Sequence, residues 1–330
     1  MIKILIFRTD RIGDLIMTCP AILSLKKNFD QCEITLITSS KNTKYSRNLN
    51  FIDNVIELPR NGIINKIKFI FRLSKIKFNY IFIFDGKERS ILTTTFIKSK
   101  SKVALTGSKK FYFNFLKIKF LKDLGNTNLN EIFQKMISHA GLKTKIENYD
   151  FIKFKKNNNF SSKIPLDKYI LIHLDEKWFS NLYIKSYTDI NPHLNDFIDF
   201  LNTISINDNL IITTGFIKLK LVDELINKKI FNTNELNIFF KKNNNKVIYL
   251  INQPTFEDIE SLLRNSKKLI SCHGAITHAA YSFNIPILDI IENNNKVFYH
   301  KYTSHMNKYT SIYRQNFSSI KNVLLSKLND

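Results

Sequence analysis

Residues able to do chemistry cluster first near the start of the chain, in Ile4-Leu-Ile-Phe-Arg-Thr-Asp-Arg-Ile-Gly-Asp-Leu-Ile-Met-Thr-Cys-Pro20. Ile2 to Phe7 is a short run of large and β-branched side chains, which predicts a strand, and a helical pattern runs from Leu15 to Asn28. Between them lie Arg8, Thr9, Asp10 and Arg11, then Gly13-Asp14. A carboxylate at a strand–loop–helix junction falls at the carboxyl end of a strand, where open α/β folds place their chemistry. Arg8 and Arg11 form a local anion trap beside it, so the loop can hold both a base, Asp14, and a phosphate-like partner. The same residues also admit a structural reading, in which Asp14 caps the helix and the arginines are solvated around it.

A second cluster lies in the carboxyl half, Ser271-Cys-His-Gly-Ala-Ile-Thr-His278. It reads as the end of a strand, a small-residue turn His273-Gly274-Ala275, and a helix from about Ile276. Such a turn presents free backbone N–H groups and the positive end of a helix dipole, which suits a diphosphate. His278 can hydrogen-bond a phosphate or ribose there; alternatively, His273 and His278 are packing histidines. The i, i+5 spacing and the lack of a carboxylate nearby in sequence give no reason to expect a metal. Two weaker groups complete the set. Asp85-Gly-Lys-Glu-Arg-Ser90 follows a strand pattern and brings two cations, Lys87 and Arg89, to its end. In the other half, His173-Leu-Asp-Glu-Lys177-Trp178 ends one strand and Gly215 ends the next.

These groups need a scaffold, and the apolar pattern supplies two. Strands are predicted at Lys3–Phe7, Glu33–Thr38, Val55–Leu58, Tyr80–Phe84 and Lys102–Leu105, alternating with helices at Leu15–Asn28, Ile63–Ile76, Ser90–Ile97 and Leu129–Ala140. In Ile63–Ile76 the residues Ile67, Ile70, Phe71 and Ser74 keep helical spacing. A Lys/Asn-rich stretch from Asn148 to Ile164 reads as a linker between residues 1–160 and 161–330. A second series follows, with strands at Tyr169–Leu174, Asn209–Thr214, Val247–Leu250, Lys268–Ser271 and Pro286–Ile291. Its helices are predicted at Pro192–Ile204, Lys218–Lys228, Phe256–Asn265 and Ala275–Phe283, with an amphipathic helix Ser318–Leu328 at the tail. Lys241–Lys246 and Glu292–Lys296 read as polar loops. Alternation of this kind predicts α/β architecture, two Rossmann-like, doubly wound halves with mostly parallel sheets.

The chain has 330 residues, 44% of them hydrophobic, enough for two cores. No apolar run reaches the roughly 18–20 residues that span a bilayer. The amino terminus does not read as a signal peptide, because an Arg-Thr-Asp-Arg cluster follows a very short apolar stretch. Cys19, Cys32 and Cys272 have no metal-like spacing and suit buried thiols in a reducing compartment. A cytoplasmic protein is therefore expected. Lys and Arg number 50 against 28 Asp and Glu, a formal charge of +22. The excess is spread along a Lys/Asn/Ile-rich chain, and no nucleic-acid-binding signature accompanies it. Attraction to acidic lipid or a phosphorylated glycolipid is favoured over nucleic acid.

The first cluster, with Arg8, Gly13-Asp14, Thr18, Pro20 and Ala21 in order, resembles the amino-terminal signature of the family 9 glycosyltransferases, the lipopolysaccharide heptosyltransferases. The dinucleotide fingerprint Gly-x-Gly-x-x-Gly is absent from the sequence, which separates it from a dehydrogenase. The second cluster resembles the same family through Ser271, His278, Ala279-Ala280 and Ile285-Pro286. It departs from the family's Asp-[Ser/Thr]-Gly at His273-Gly274-Ala275. The resemblance implies a GT-B fold, two Rossmann-like domains facing a cleft, with the tail helix packing back toward the amino-terminal domain. It implies inverting, metal-independent transfer of a heptose or related sugar from a nucleotide diphosphate, ADP-heptose by precedent, without a further cofactor. Asp14 would be the base, Arg8, Arg11, Lys87 and Arg89 would hold the acceptor, and Lys177, Gly215, His273, Gly274, Ala275 and His278 the donor. The acceptor would be an anionic lipid-linked glycan such as lipopolysaccharide core, with the protein peripheral at the inner membrane. The altered turn keeps open a non-catalytic nucleotide-binding homologue, and charge alone a nucleic-acid-binding protein.

Overall fold

The computed structural model describes residues 1–107, 116–122, 127–146, 150–155 and 158–329. The chain divides into two compact units, Met1–Lys156 with His300–His305, and Asn157–Tyr299 with Met306–Asp330. The break falls within the expected linker, parts of which lie outside the described residues.

The amino-terminal unit runs β1 (Ile2–Phe7), α1 (Ile12–Lys27), β2 (Cys32–Thr38), α2 (Thr43–Asn48), β3 (Asn54–Glu57), α3 (Ile63–Ser74), β4 (Phe78–Ile83), α4 (Glu88–Thr95), β5 (Ser99–Thr106), β6 (Lys119–Lys122) and α5 (Leu129–His139). Its sheet has the order β3-β2-β1-β4-β5-β6, every pair parallel. Helices cover both faces of such a sheet, so its strands are buried on both sides and read as continuous apolar runs. Ile4, Leu5, Ile6 and Phe7 are accordingly all fully buried. Strand order reverses between β1 and β4, and the loops leaving these two strands carry Arg8 to Asp14 and Asp85 to Ser90.

α3 forms where the helical spacing predicts it. Phe69 and Leu73 are its buried residues, whereas Ile67 and Phe71 are exposed. Large β-branched and aromatic side chains therefore lie on two sides of one helix. Among the described residues no helix is long and apolar enough to cross a membrane.

The carboxyl-terminal unit runs β7 (Tyr169–Leu174), α6 (Leu194–Ile204), β8 (Leu210–Thr214), α7 (Lys220–Asn227), β9 (Asn232–Glu235), β10 (Ile238–Asn243), β11 (Lys246–Ile251), α8 (Phe256–Leu263), β12 (Ser266–Cys272), α9 (Ala275–Ser282), β13 (Ile287–Ile291), α10 (Lys296–Thr303, whose end joins the first unit), β14 (Tyr309–Tyr313) and α11 (Phe317–Asn329). The order is β14-β13-β12-β7-β8-β11-β10-β9. Pairing is parallel from β14 to β11 and antiparallel at β10 and β9. Lys241–Asn243, expected in a loop, therefore belong to a strand. Its order reverses between β7 and β12.

The tail helix differs from the expectation. Phe317, Ile320 and Leu324 of α11 are buried in the carboxyl unit's own core. Phe317 meets Phe197 and Phe200 of α6 at ring-centroid distances of 5.9 and 5.7 Å, and Lys321 pairs with Asp199. β14 delivers the helix directly over the aromatic stripe of α6, so its apolar face is satisfied within the same unit. The segment that clusters with the amino-terminal unit is His300–His305, where Asn128 donates to Ser304 Oγ at 2.8 Å.

Candidate functional site

At the first sheet's reversal point, Arg8 leaves β1 with its guanidinium almost wholly enclosed. Its Nη1 donates to the Phe84 carbonyl at 2.7 Å and its Nε to the Asp14 carbonyl at 2.9 Å. Arg8 thus fastens the end of β4 to the first turn of α1, while its charge faces Asp10 (3.4 Å) and Asp14 (3.6 Å). Thr9 donates to Asp85 Oδ2 at 2.6 Å, and Ser90 donates to the same oxygen at 2.8 Å. Lys87 pairs with Asp10 and donates to the Thr9 carbonyl at 3.2 Å, and Arg89 reaches Thr9 Oγ1 at 3.1 Å. Arg8, Asp14, Lys87 and Arg89 are therefore brought together as expected, whereas Arg11 points outward as an exposed side chain. Gly86, at φ +59°, makes this junction possible, because a Cβ there would lie 3.0 Å from the Leu105 carbonyl oxygen.

The structural reading of Asp14 holds. Its Oδ2 accepts from the Arg11 backbone N–H at 3.1 Å, capping α1. Its side chain nonetheless remains 35% exposed, against 19% for Asp10.

At the second sheet's reversal point, Lys177 follows β7 and Gly274 follows β12. Lys177 Nζ bonds Asp175 Oδ2 at 2.6 Å, and a Cβ at Gly274 would lie 2.6 Å from that ammonium. Gly274 thus leaves room for a lysine laid across the amino end of α9. Burial lowers the Lys177 pKa, but the charge and hydrogen bond of Asp175 more than offset it, so the ammonium stays protonated above the usual lysine range. Gly215 faces the same loop; a Cβ there would lie 3.1 Å from Asp175 Cβ. His173 sits beneath, its Nδ1 3.0 Å from Thr213 Oγ1. Burial pushes its pKa down to about 4 against the opposing pull of Asp175.

The two histidines of the turn are linked by packing. His273 and His278 meet edge to face at 5.2 Å, and His278 is buried. His273 Nδ1 lies 2.6 Å from Asp289 Oδ2, and that buried carboxylate also accepts from Thr277 at 3.0 Å and Tyr309 at 2.9 Å. Thr277 Oγ1 in turn accepts from the Gly274 N–H at 3.2 Å. Ala275 opens α9. Among the described residues no group of three or more His, Cys, Asp and Glu is arranged to hold a metal ion.

Sequence reasoning missed the groups that hold these side chains. Asp289 is far from His273 in sequence, yet β12 and β13 pair Ser271 with Asp289. Arg314 is buried and donates to the carbonyls of Lys177 (2.6 Å) and Thr188 (2.7 Å). Asp175 was visible only as the neighbour of Lys177. Cys32 is only half-buried, unlike Cys19 and Cys272.

The fold is of the GT-B type. Over nearly its whole length the chain is similar in fold to two solved heptosyltransferases and to a solved family 9 glycosyl transferase. Heptosyltransferase II of E. coli superposes with a TM-score of 0.70 at 12% identity, covering 99% of this chain and 98% of that one. E. coli heptosyltransferase WaaC with ADP gives 0.68 at 10% identity, covering 99% of each chain. A family 9 glycosyl transferase from Veillonella parvula gives 0.67 at 16% identity, covering 98% of this chain and 89% of that one. UDP-GlcNAc 2-epimerase from Methanocaldococcus jannaschii shares the architecture less closely, at 0.57. In sequence, no family model and no curated protein matches the chain.

Proposed function

We propose that the chain is an inverting glycosyltransferase that moves a heptose or related sugar from a nucleoside diphosphate to an anionic, lipid-linked glycan. One observation carries the reading: each parallel sheet bears its polar cluster at its own reversal point, where α/β folds bind ligands. The first cluster offers a partly exposed carboxylate among cations, and the second an ammonium over a glycine turn and helix amino terminus. The structures similar in fold include a heptosyltransferase with ADP and one with ADP-2-deoxy-2-fluoro heptose, which supports a nucleotide-sugar donor.

In this mechanism the carboxyl unit holds the diphosphate, with Lys177 and the N–H groups of Gly274 and Ala275 on its oxygens. Gly215 keeps the approach open, and His278 hydrogen-bonds a phosphate or the ribose. Lys87 and Arg89 hold the anionic acceptor. Arg8, enclosed and bonded to the Phe84 and Asp14 carbonyls, steadies the loop instead of reaching the acceptor, and Arg11 lies outside the cluster. Asp14 takes the proton of the acceptor hydroxyl as that oxygen attacks the anomeric carbon. The bond from that carbon to the diphosphate oxygen breaks, and the displaced charge falls on Lys177 and the helix terminus. Because the chain's own cations neutralise the leaving group, no metal or further cofactor enters the scheme. ADP-heptose as donor, lipopolysaccharide core as acceptor and a cytoplasmic, membrane-peripheral site of action complete the proposal. A panel of nucleotide sugars, screened by thermal shift and then for product, tests it. Stabilisation with an inverted product is expected; binding without turnover would identify a non-catalytic homologue, and salt-sensitive RNA or DNA binding alone would overturn the reading.

A further inference from the structure

α3 carries two apolar faces. Phe69 and Leu73 enter the core of the amino-terminal unit together with Ile91 of α4. On the other side Ile63, Ile67 and Phe71 recur at i, i+4 and i+8 with Ile64 beside them. Ile63 is 77% exposed and Phe71 is 61% exposed. A stripe of this size on a covering helix needs a partner. From Arg60 to Phe84 the sequence contains six Lys and Arg residues and no Asp or Glu. Lys66, Lys68 and Arg72 of the helix are exposed and make no ion pair among the described residues. Lys75 lies 4.3 Å from the Phe71 ring, at the border between stripe and cations.

We propose that this face of α3 docks on an anionic lipid surface, with Ile63, Ile64, Ile67 and Phe71 entering the acyl boundary and the flanking cations meeting headgroup phosphates. Apolar side chains bordered by Lys and Arg have the pattern of a helix lying in the plane of an interface. Charge decides against a second copy of this chain, since self-association through the face would oppose two uncompensated cationic borders. Position adds a functional consequence. In a parallel sheet every crossover helix starts at the carboxyl edge, so Ile63 and Ile64 lie at the edge that also carries Arg8, Lys87 and Arg89. The membrane contact of the proposed function thereby acquires a definite face, and the face stands or falls without reference to sugar transfer.

The test is co-sedimentation with vesicles of phosphatidylglycerol and phosphatidylcholine, compared with phosphatidylcholine alone, without donor or acceptor. The intact chain should bind the anionic vesicles and release as salt rises. Lys66→Gln/Lys68→Gln/Arg72→Gln should lower partitioning roughly 100-fold, at about fivefold per cation near the surface. Ile63→Ser/Ile67→Ser/Phe71→Ser should lower it at least about tenfold. Both variants should keep the parent melting temperature and ADP affinity, because the altered side chains are solvent-facing. Equal binding to neutral vesicles, unchanged binding by either variant, or a dimer in analytical ultracentrifugation that the serine variant abolishes would overturn the proposal.

Discussion

Gly274→Ala isolates the lysine of the second cluster without touching it. A Cβ at this position would sit 2.6 Å from Lys177 Nζ, where ordinary contact begins near 3.4 Å, so the ammonium must retreat by about 0.8 Å. The intruded atom is the far end of a flexible chain, and φ at Gly274 is 178°, extended backbone that alanine adopts freely. Folding should therefore survive. What is lost is the ammonium's place over the amino end of α9, and with it a charge-assisted hydrogen bond to a bound diphosphate, about 1.5–3 kcal/mol. Calorimetry should show ADP binding weakened roughly 10- to 150-fold. In an Asp175→Asn/Lys177→Ala background, which removes the ammonium without leaving a buried carboxylate unpaired, the same substitution should cost little, because the two positions act through one group. Equal losses in both backgrounds, or full affinity in Gly274→Ala itself, would show that Lys177 does not hold the diphosphate.

Three further outcomes are expected. Asp14→Asn should lower turnover roughly 10²–10⁴-fold with little change in ADP affinity; near-normal turnover or a product of retained configuration would refute its role as base. Stability should fall on acidification. His173 is neutral in the fold with a pKa near 4, below the ordinary 6.5, so the unfolded chain takes up the proton first. The stabilisation is complete above about pH 6.5 and lost as pH falls toward about 4, a change of about 3 kcal/mol, which denaturant melts should show and which His173→Asn should flatten. Arg314→Met should destabilise by about 2–5 kcal/mol, because the carbonyls of Lys177 and Thr188 lose their buried donor, although Thr188 still donates to Glu292 at 2.8 Å; an unchanged melting temperature would contradict this.

The parts of the site that sequence made legible are those whose chemistry and backbone signal coincide. Arg8, Gly13 and Asp14 mark the passage from an unbroken apolar strand to a buried helix, and His273-Gly274-Ala275 occupies the same kind of junction. Asp289 was invisible because it acts across a parallel strand pair, and nothing local marks register between β12 and β13. Arg314 acts on carbonyls, which leave no trace in composition. The β10–β11 hairpin was missed for another reason. Its Lys and Asn residues resemble a solvated loop, yet Asn243 pairs with Lys246 across a two-residue turn in which Asn244 takes φ +51°. Asparagine tolerates that left-handed conformation, and β9 pairs only with Ile238–Phe240 of β10, so Lys241–Asn243 lie past that pairing and tolerate charge.

The choice of Asp14 over its neighbours rests on free valence. Asp85 is nearest the centre of the junction, but its Oδ2 already accepts from Thr9 Oγ1 and Ser90 Oγ, and its Oδ1 from the Lys87 N–H at 3.2 Å. A carboxylate bound on both oxygens by fixed donors positions a loop, and it does so here by tying β1 to β4. Asp10 is clamped between Lys87 and Arg8, so taking a substrate proton there would break two charge contacts. Asp14 has one backbone N–H on Oδ2, with Arg8 Nη2 3.6 Å from Oδ1. That arrangement fixes the side chain while leaving lone pairs for an incoming hydroxyl. The arginine that steadies it also joins the ends of β1, β4 and α1. One buried guanidinium therefore aligns the ends of β1 and β4 with α1, which carries the proposed base.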